Sequence, residues 1–395
     1  MKFVRSGVAA VALLASALSA QSVTGGKPPA LPKPFSSPMV ANGPSVVAPP
    51  AGFLPKAPEG FHVSVFAANV RGARWLAVAP NGDIFVAESD AGTVEVLHDP
   101  QHTGKAVSRT VFADHLREPF GIAFHHGYVY VGDTNELLRF KYNPKTSQRT
   151  GEAEHLLSVP TGGHTTRTVV FGKDGKLYLS VGSHSNIDIE TDPIRAAVTV
   201  CDDDACVHHH VYASGLRNPV GLVINPQTGQ LWTTVNERDM MGDDLPPDYF
   251  SSVRKGGFYG WPYSYIGKNI DTRVKPQRPD LVAKAIVPDV LLGAHRAPLQ
   301  AAFYEGDQFP SFYKNGAFIA EHGSWNRSIR AGYQVAFVPF ANGRPTAAPQ
   351  VFLQGFVPDP GKEAVWGRPV GIAVAPDGSL LVSDDGGSVI WRVSH

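Results

Sequence analysis

The chain has 395 residues with 35 basic and 35 acidic side chains, so its formal net charge is zero. That balance gives no support to a nucleic-acid partner or an anionic membrane surface. Apolar residues at 43% exclude a disordered chain, and 40 Gly and 33 Pro against four Met point to many turns and few long helices.

The N-terminus has the pattern of an export signal spanning residues 1–20. Lys2 and Arg5 form a basic start, Gly7 to Leu18 a short apolar run, and Ala-Leu-Ser-Ala ending at Ala20 a cleavage site. The apolar run is too short to cross a bilayer well, and no later segment is long and apolar enough. The expectation is a periplasmic or secreted protein with no stable membrane insertion after signal removal. Residues 21–57 are rich in Pro, Ser, Gly and Ala, the composition of an extended linker without a core.

From Pro58 short apolar runs alternate with turn signals, and they repeat. Ala73-Arg74-Trp75-Leu76-Ala77-Val78 leads through Pro80-Asn81-Gly82-Asp83 into Ile84-Phe85-Val86-Ala87. Leu116-Arg117-Glu118-Pro119-Phe120-Gly121 leads through His125-His126-Gly127 into Tyr128-Val129-Tyr130-Val131. Equivalent copies begin at Arg167, Arg217 and Arg368, with a weaker one at Arg296. Each copy is strand, Gly-containing hairpin, strand. Six copies over 58–395 average about 56 residues, which suits four-stranded propeller blades carrying long loops. The predicted fold is therefore all-β, a six-bladed β-propeller over 58–395, whose ring closure protects the strand edges. Two β-sandwich domains would not predict one motif six times.

Every copy carries an Arg at the start of its first strand, near the mouth of a propeller's central channel. Six guanidinium groups converging on one mouth would repel and need anionic partners. Their planar forks suit carboxylates held bidentately. The competing reading pairs each Arg with a structural acid.

Several segments resemble the quinoprotein sugar dehydrogenases of the soluble glucose/sorbosone dehydrogenase type, and most closely the sorbosone and pyranose dehydrogenase branch. Gly162-Gly163-His164-Thr165-Thr166-Arg167 is similar to the segment with the catalytic histidine. Tyr212-Ala213-Ser214-Gly215-Leu216-Arg217-Asn218-Pro219 resembles a cofactor-contacting hallmark. Asn236-Glu237-Arg238-Asp239 through Asp248 resembles the turn whose carbonyls hold Ca²⁺. Gly257-Phe258-Tyr259-Gly260-Trp261-Pro262 and Glu321-His322-Gly323-Ser324-Trp325-Asn326-Arg327-Ser328 complete the likeness.

The resemblance implies hydride transfer from a sugar or sugar aldehyde to pyrroloquinoline quinone, and reoxidation by an external acceptor (a quinone, cytochrome or dye). It makes His164 the general base, since a neutral imidazole suits proton abstraction near neutrality. It gives Arg74, Arg217, Asn218, Arg296 and Arg327 to the cofactor, and the carbonyls of Arg238 and Asp239 to a Ca²⁺ that polarises the quinone. The sequence departs from the family pattern at Ser183-His184-Ser185-Asn186-Ile187-Asp188, where many members of the branch place cysteines nearby. It also carries a Cys201–Cys206 insertion followed by His208, His209 and His210; an oxidising compartment would close that pair into a small loop. Two other readings compete: a quinone-free lactonase-like propeller hydrolase and a non-enzymatic glycan-binding propeller. Dinucleotide, P-loop, Gly-x-Ser-x-Gly and His-Glu-x-x-His motifs are absent from the sequence.

Overall fold

The repeated hairpins pair in the register their turn residues impose. In the first, Val78 lies opposite Ile84 and Leu76 opposite Val86; in the third, Phe171 faces Leu177 and Arg167 faces Val181. The computed structural model describes residues 21–395, so the export-signal segment expected at 1–20 lies outside the described residues.

Six sheets of this kind form a six-bladed β-propeller. Blades 1 to 5 occupy residues 73–113, 122–158, 167–214, 223–294 and 298–353 in chain order. Blade 6 is built from both ends of the ring. His62–Ala68 supplies its outer strand, antiparallel to Val389–Ser394, beside Leu380–Asp384 and Pro369–Val374. Helix is confined, among the described residues, to Pro279–Val282 and two short 3₁₀ turns. Blade faces bury aromatic and β-branched side chains against one another, as where Phe85, Phe112 and Phe140 meet Val94 and Val129. Each such side chain contributes about 1.5–3 kcal/mol when fully buried.

The Gly of the repeat answers to the axis. A Cβ on Gly221 would lie 2.2 Å from the Leu299 carbonyl of the next blade, and one on Gly371 would lie 2.3 Å from that of Arg74. Only a residue without a side chain lets the inner strands approach this closely. An acid at the end of the second strand then fixes the turn before the inner strand. Asp133 accepts from the amides of Arg117 and Glu118 at 2.8 and 2.7 Å, and Asp384 from that of Arg368 at 2.7 Å. These turns lie together at one end of the propeller, since an inner strand starts where its antiparallel neighbour ends.

Residues 21–57 are extended but are not a free spacer. Ser22–Val23 adds to the edge of blade 4, with Ser22 opposite Leu291, and Ser45–Val46 pairs in parallel with Ala364–Val365. Between them Ser37 Oγ accepts from the Asp243 amide at 2.8 Å, and Asn42 Nδ2 donates to the carbonyls of Arg327 and Ser328 at 3.0 and 3.2 Å. Phe53 packs edge-on against Trp366 and Trp391. Proline leaves this segment few amides to satisfy, so a few hydrogen bonds to the blades suffice to hold it. Among the described residues no helix is long and apolar enough to cross a membrane.

Candidate active site

The turns at one end of the ring enclose a cavity of about 410 Å³ on the axis. Its walls include Arg74, His164, Arg217, Asn218, His322 and Arg368. Volume and chemistry are those of a small-molecule site with few convergent polar groups.

His164 ends the loop before the inner strand of blade 3. Its Nδ1 donates to the Ser183 carbonyl at 2.8 Å. That bond fixes the neutral tautomer and leaves the Nε2 lone pair as the basic position. Burial, reinforced by the Arg217 guanidinium, pushes the His164 pKa down to about 4. Two arginines hold the loop from beneath. Arg167 donates to the carbonyls of Pro160, His164 and Thr166 at 2.9, 2.7 and 2.9 Å, and Arg195 donates to those of Gly182 and Thr161.

Arg217 and Asn218 connect blades 3 and 4. The Arg217 guanidinium pairs with Asp239 at 3.0 Å and donates to the Glu237 carbonyl at 2.7 Å. Asn218 is buried, and its Oδ1 has no hydrogen-bond partner. A buried amide oxygen left unpaired costs about 1–3 kcal/mol, so this atom fits a donor on a bound group. Asn186 fastens the 183–188 segment to the neighbouring turn, its Oδ1 accepting from the Asp239 amide at 2.8 Å and its Nδ2 donating to the Asp239 carbonyl at 3.1 Å.

The arginines of the repeat do not all converge. Arg74, Arg217 and Arg368 line the cavity. Arg167 is turned under the His164 loop and buried. Arg117 is not among the lining residues. Arg296 is committed to Glu321 at 2.9 Å, and Arg327 to Asp244 at 2.9 Å. Arg296 and Arg327, expected at the cofactor, are thus held by acids outside the cavity wall. Of those that do line it, Arg74 pairs with Asp385 at 2.5 Å and Arg217 with Asp239 at 3.0 Å, whereas Arg368 donates only to the His322 carbonyl at 3.4 Å. Side-chain direction, which the repeat alone does not encode, decides which guanidinium reaches the axis.

Around the expected metal turn, Arg238 is fully buried and donates to Glu237 at 3.0 Å and to the Ser264 carbonyl at 2.6 Å. The Asp239 carbonyl receives Asn186 and also Arg273 Nη1 at 3.1 Å. A cation on that carbonyl would compete with Arg273, whereas the Asp239 carboxylate faces the cavity group of Arg217 and His295. Asp248 accepts from the amides of Glu237 and Ala297, both at 2.8 Å, and its burial raises its pKa to about 7.

Residues given no individual role in the sequence complete the wall. His322 Nε2 lies 3.0 Å from both oxygens of Asp385, forming a His–Asp dyad that opens on the same cavity as His164. Burial, assisted by Arg368, lowers the His322 pKa to about 4. His295 donates through Nε2 to the Gly242 carbonyl at 2.9 Å; burial would lower its pKa, but Asp239 and that carbonyl more than offset this and raise it. Trp325 stands at the rim with 43% of its surface exposed. The acid of the dyad, Asp385, follows the last repeat and carries no signal in the sequence.

An axial cavity holding two neutral imidazoles among guanidinium groups defines an enzyme-type propeller. The chain belongs to the TrAA12-like family, which matches residues 55–246 and 275–395. Among its relatives, the pyrroloquinoline quinone-dependent pyranose dehydrogenase of Coprinopsis cinerea is 25% identical over 400 residues, covering 85% of this chain and 54% of that one. The match thus spans about half the length of that relative. The holo pyranose dehydrogenase PQQ domain from Coprinopsis cinerea superposes with a TM-score of 0.74 at 22% identity, covering 89% of this chain and 99% of that one. The calcium structure of the Trichoderma reesei family AA12 enzyme gives 0.74 at 21% identity, covering 86% and 96%. These superpositions bear on the fold.

Proposed function

We propose that this protein oxidises a sugar of the pyranose or aldose class, with pyrroloquinoline quinone as cofactor and Ca²⁺ as its metal, and passes the electrons to an external acceptor. The observation that carries the reading is His164, whose Nδ1 is spent on the Ser183 carbonyl so that Nε2 is the base at a cavity with three guanidinium groups. The quinone supplies a hydride acceptor when bound, and Ca²⁺ a Lewis acid on its carbonyl.

The chain's own groups do the rest. Arg74, Arg217 and Arg368 suit the carboxylates of the cofactor, and the unpaired Asn218 Oδ1 suits a donor on it. Hard oxygens at the Arg238–Asp239 turn, the two backbone carbonyls and the Asp239 carboxylate, suit Ca²⁺. His164 Nε2 removes the hydroxyl proton of the sugar, and its depressed pKa keeps it neutral well below pH 7. Exposed Trp325 at the rim offers a flat apolar face to a sugar ring. A quinone-free metal hydrolase finds less support. Among the described residues the His/Asp/Glu group close enough to hold an ion is His125, His126 and Asp204, and it lies outside this cavity. The export signal and the family together favour a periplasmic or secreted location.

The test is reconstitution. Apo-protein is titrated with the quinone in the presence of Ca²⁺, and dye reduction is followed over a panel of aldoses, ketoses and osones. Turnover that needs both additions is expected. A protein that neither binds the quinone nor reduces dye overturns the proposal.

A further inference from the structure

At the end of the ring opposite the cavity, the hairpin of blade 2 meets the disulfide loop of blade 3. Ile122–His125 turns through His126 and Gly127 into Tyr128–Asp133. In blade 3, Ala197–Cys201 runs into a loop closed by the Cys201–Cys206 disulfide, with Cα atoms 4.8 Å apart. Asp204, at the tip of that loop, points both carboxylate oxygens at the hairpin. One lies 2.8 Å from His126 Nδ1, the other 3.4 Å from His125 Nε2.

The arrangement is held from several sides. The Asp204 carbonyl accepts from Tyr130 Oη at 3.1 Å and from Arg139 Nη1 at 3.2 Å. The charge of Arg139 is met by Glu154 at 2.8 Å. His125 stacks flat on Phe171, with ring centroids 3.9 Å apart, so its orientation is fixed. Its Nε2 is buried and has no hydrogen-bond partner.

We propose that His125, His126 and Asp204 form a divalent transition-metal site, of the Zn²⁺ class, that staples blade 2 to blade 3. One donor atom from each residue lies within 4.8 Å of the others, so small rotations bring all three to a common ion. Ligand atoms on a tetrahedral Zn²⁺ at about 2.0–2.1 Å are roughly 3.3 Å apart, close to the His125–Asp204 separation. Two imidazoles and one carboxylate suit Zn²⁺ or Cu²⁺, whereas Ca²⁺ takes oxygen ligands. His126 is largely exposed, which leaves water room to complete the coordination. The disulfide acts as the second support, since it sets the position of Asp204.

The experiment uses untagged, chelator-stripped full-length protein with Ca²⁺ saturating, titrated with Zn²⁺ by calorimetry and followed by thermal melting. One equivalent of Zn²⁺ should bind, and the melting temperature should rise by a few degrees at zinc about 100-fold above Kd. His126→Ala and Asp204→Asn should each weaken binding by about 100-fold or more, the loss of a ligand exceeding that of an outer-shell partner. Reducing the disulfide should weaken it as well. A variant with His208, His209 and His210 all changed to Ala should bind as the parent does. Zinc binding that survives both His126→Ala and Asp204→Asn, or that vanishes in the triple variant, overturns the proposal; so does no binding by the parent.

Discussion

Arg217→Gln tests how the cavity keeps its base neutral. In the parent, burial and the Arg217 guanidinium hold the His164 pKa near 4 against an ordinary value of about 6.5. The sign follows from proton uptake. Between pH 6.5 and about 4 the unfolded chain binds a proton that the folded chain refuses, so stability falls as the pH falls through that window. At about 1.36 kcal/mol per pH unit the loss from His164 is at most about 3 kcal/mol. Replacing Arg217 removes a neighbouring cation and frees the Asp239 carboxylate 3.0 Å from it; both changes favour the imidazolium. The midpoint should rise by about one pH unit, and burial should keep it below 6.5. The His164 contribution to acid destabilisation then shrinks to about 2 kcal/mol. Ring-proton NMR of the histidines, assigned with His164→Gln, reads the midpoint directly. A His164 that titrates near 6.5 in the parent, or at the same pH in both proteins, would refute the electrostatic argument.

His164→Ala should lower dye reduction by about 10²–10⁴ while leaving quinone binding nearly intact, since the imidazole acts on the sugar; equilibrium titration with the quinone separates the two effects. Arg368→Ala should raise the quinone dissociation constant by about ten- to two-hundredfold for a charged hydrogen bond of roughly 1.5–3 kcal/mol. Arg296→Ala should leave that constant near the parental value but cost about 3–5 kcal/mol of stability in denaturant unfolding, because it strands the buried Glu321 carboxylate. Asn42→Ala should cost about 1–2 kcal/mol. Steady-state kinetics should show a higher KM for sugar with kcat little changed, since Asn42 ties down the 325–330 loop that carries Trp325.

The ring was legible because its period is local. Each copy announces a strand, a turn and a strand, and the Gly of the motif marks where neighbouring backbones nearly touch, as at Gly221. The motif around His164 marks a residue that lies in the cavity wall, and the Nδ1 contact adds the tautomer. What escaped depends on direction and on distant partners. An Arg at the start of a strand points to the axis at Arg368 and away from it at Arg167, and no neighbouring residue announces which. The segment 21–57 reads as a linker because its contacts are made with residues some 200–300 positions later. The His322–Asp385 dyad joins two blades, so neither half looks like a site in its own stretch of chain. The acids Asp133 and Asp384 close their repeats in plain view, yet their role as acceptors for backbone amides appears only when the turns are folded.

The seam in blade 6 sets an order of events in time. His62 pairs with Ser394, roughly 330 residues away, so the first blade strand to emerge from a ribosome or export channel waits for the last one before it finds its neighbour. Closing so long a loop is entropically slow to reward. Until it happens, the edges of Val389–Ser394 and His62–Ala68 are both open to foreign strands. Blades 1 to 5 pair within themselves and can form as the chain emerges. The cavity, whose wall joins Arg74 at one end of the ring to Arg368 at the other, exists only once the seam has shut.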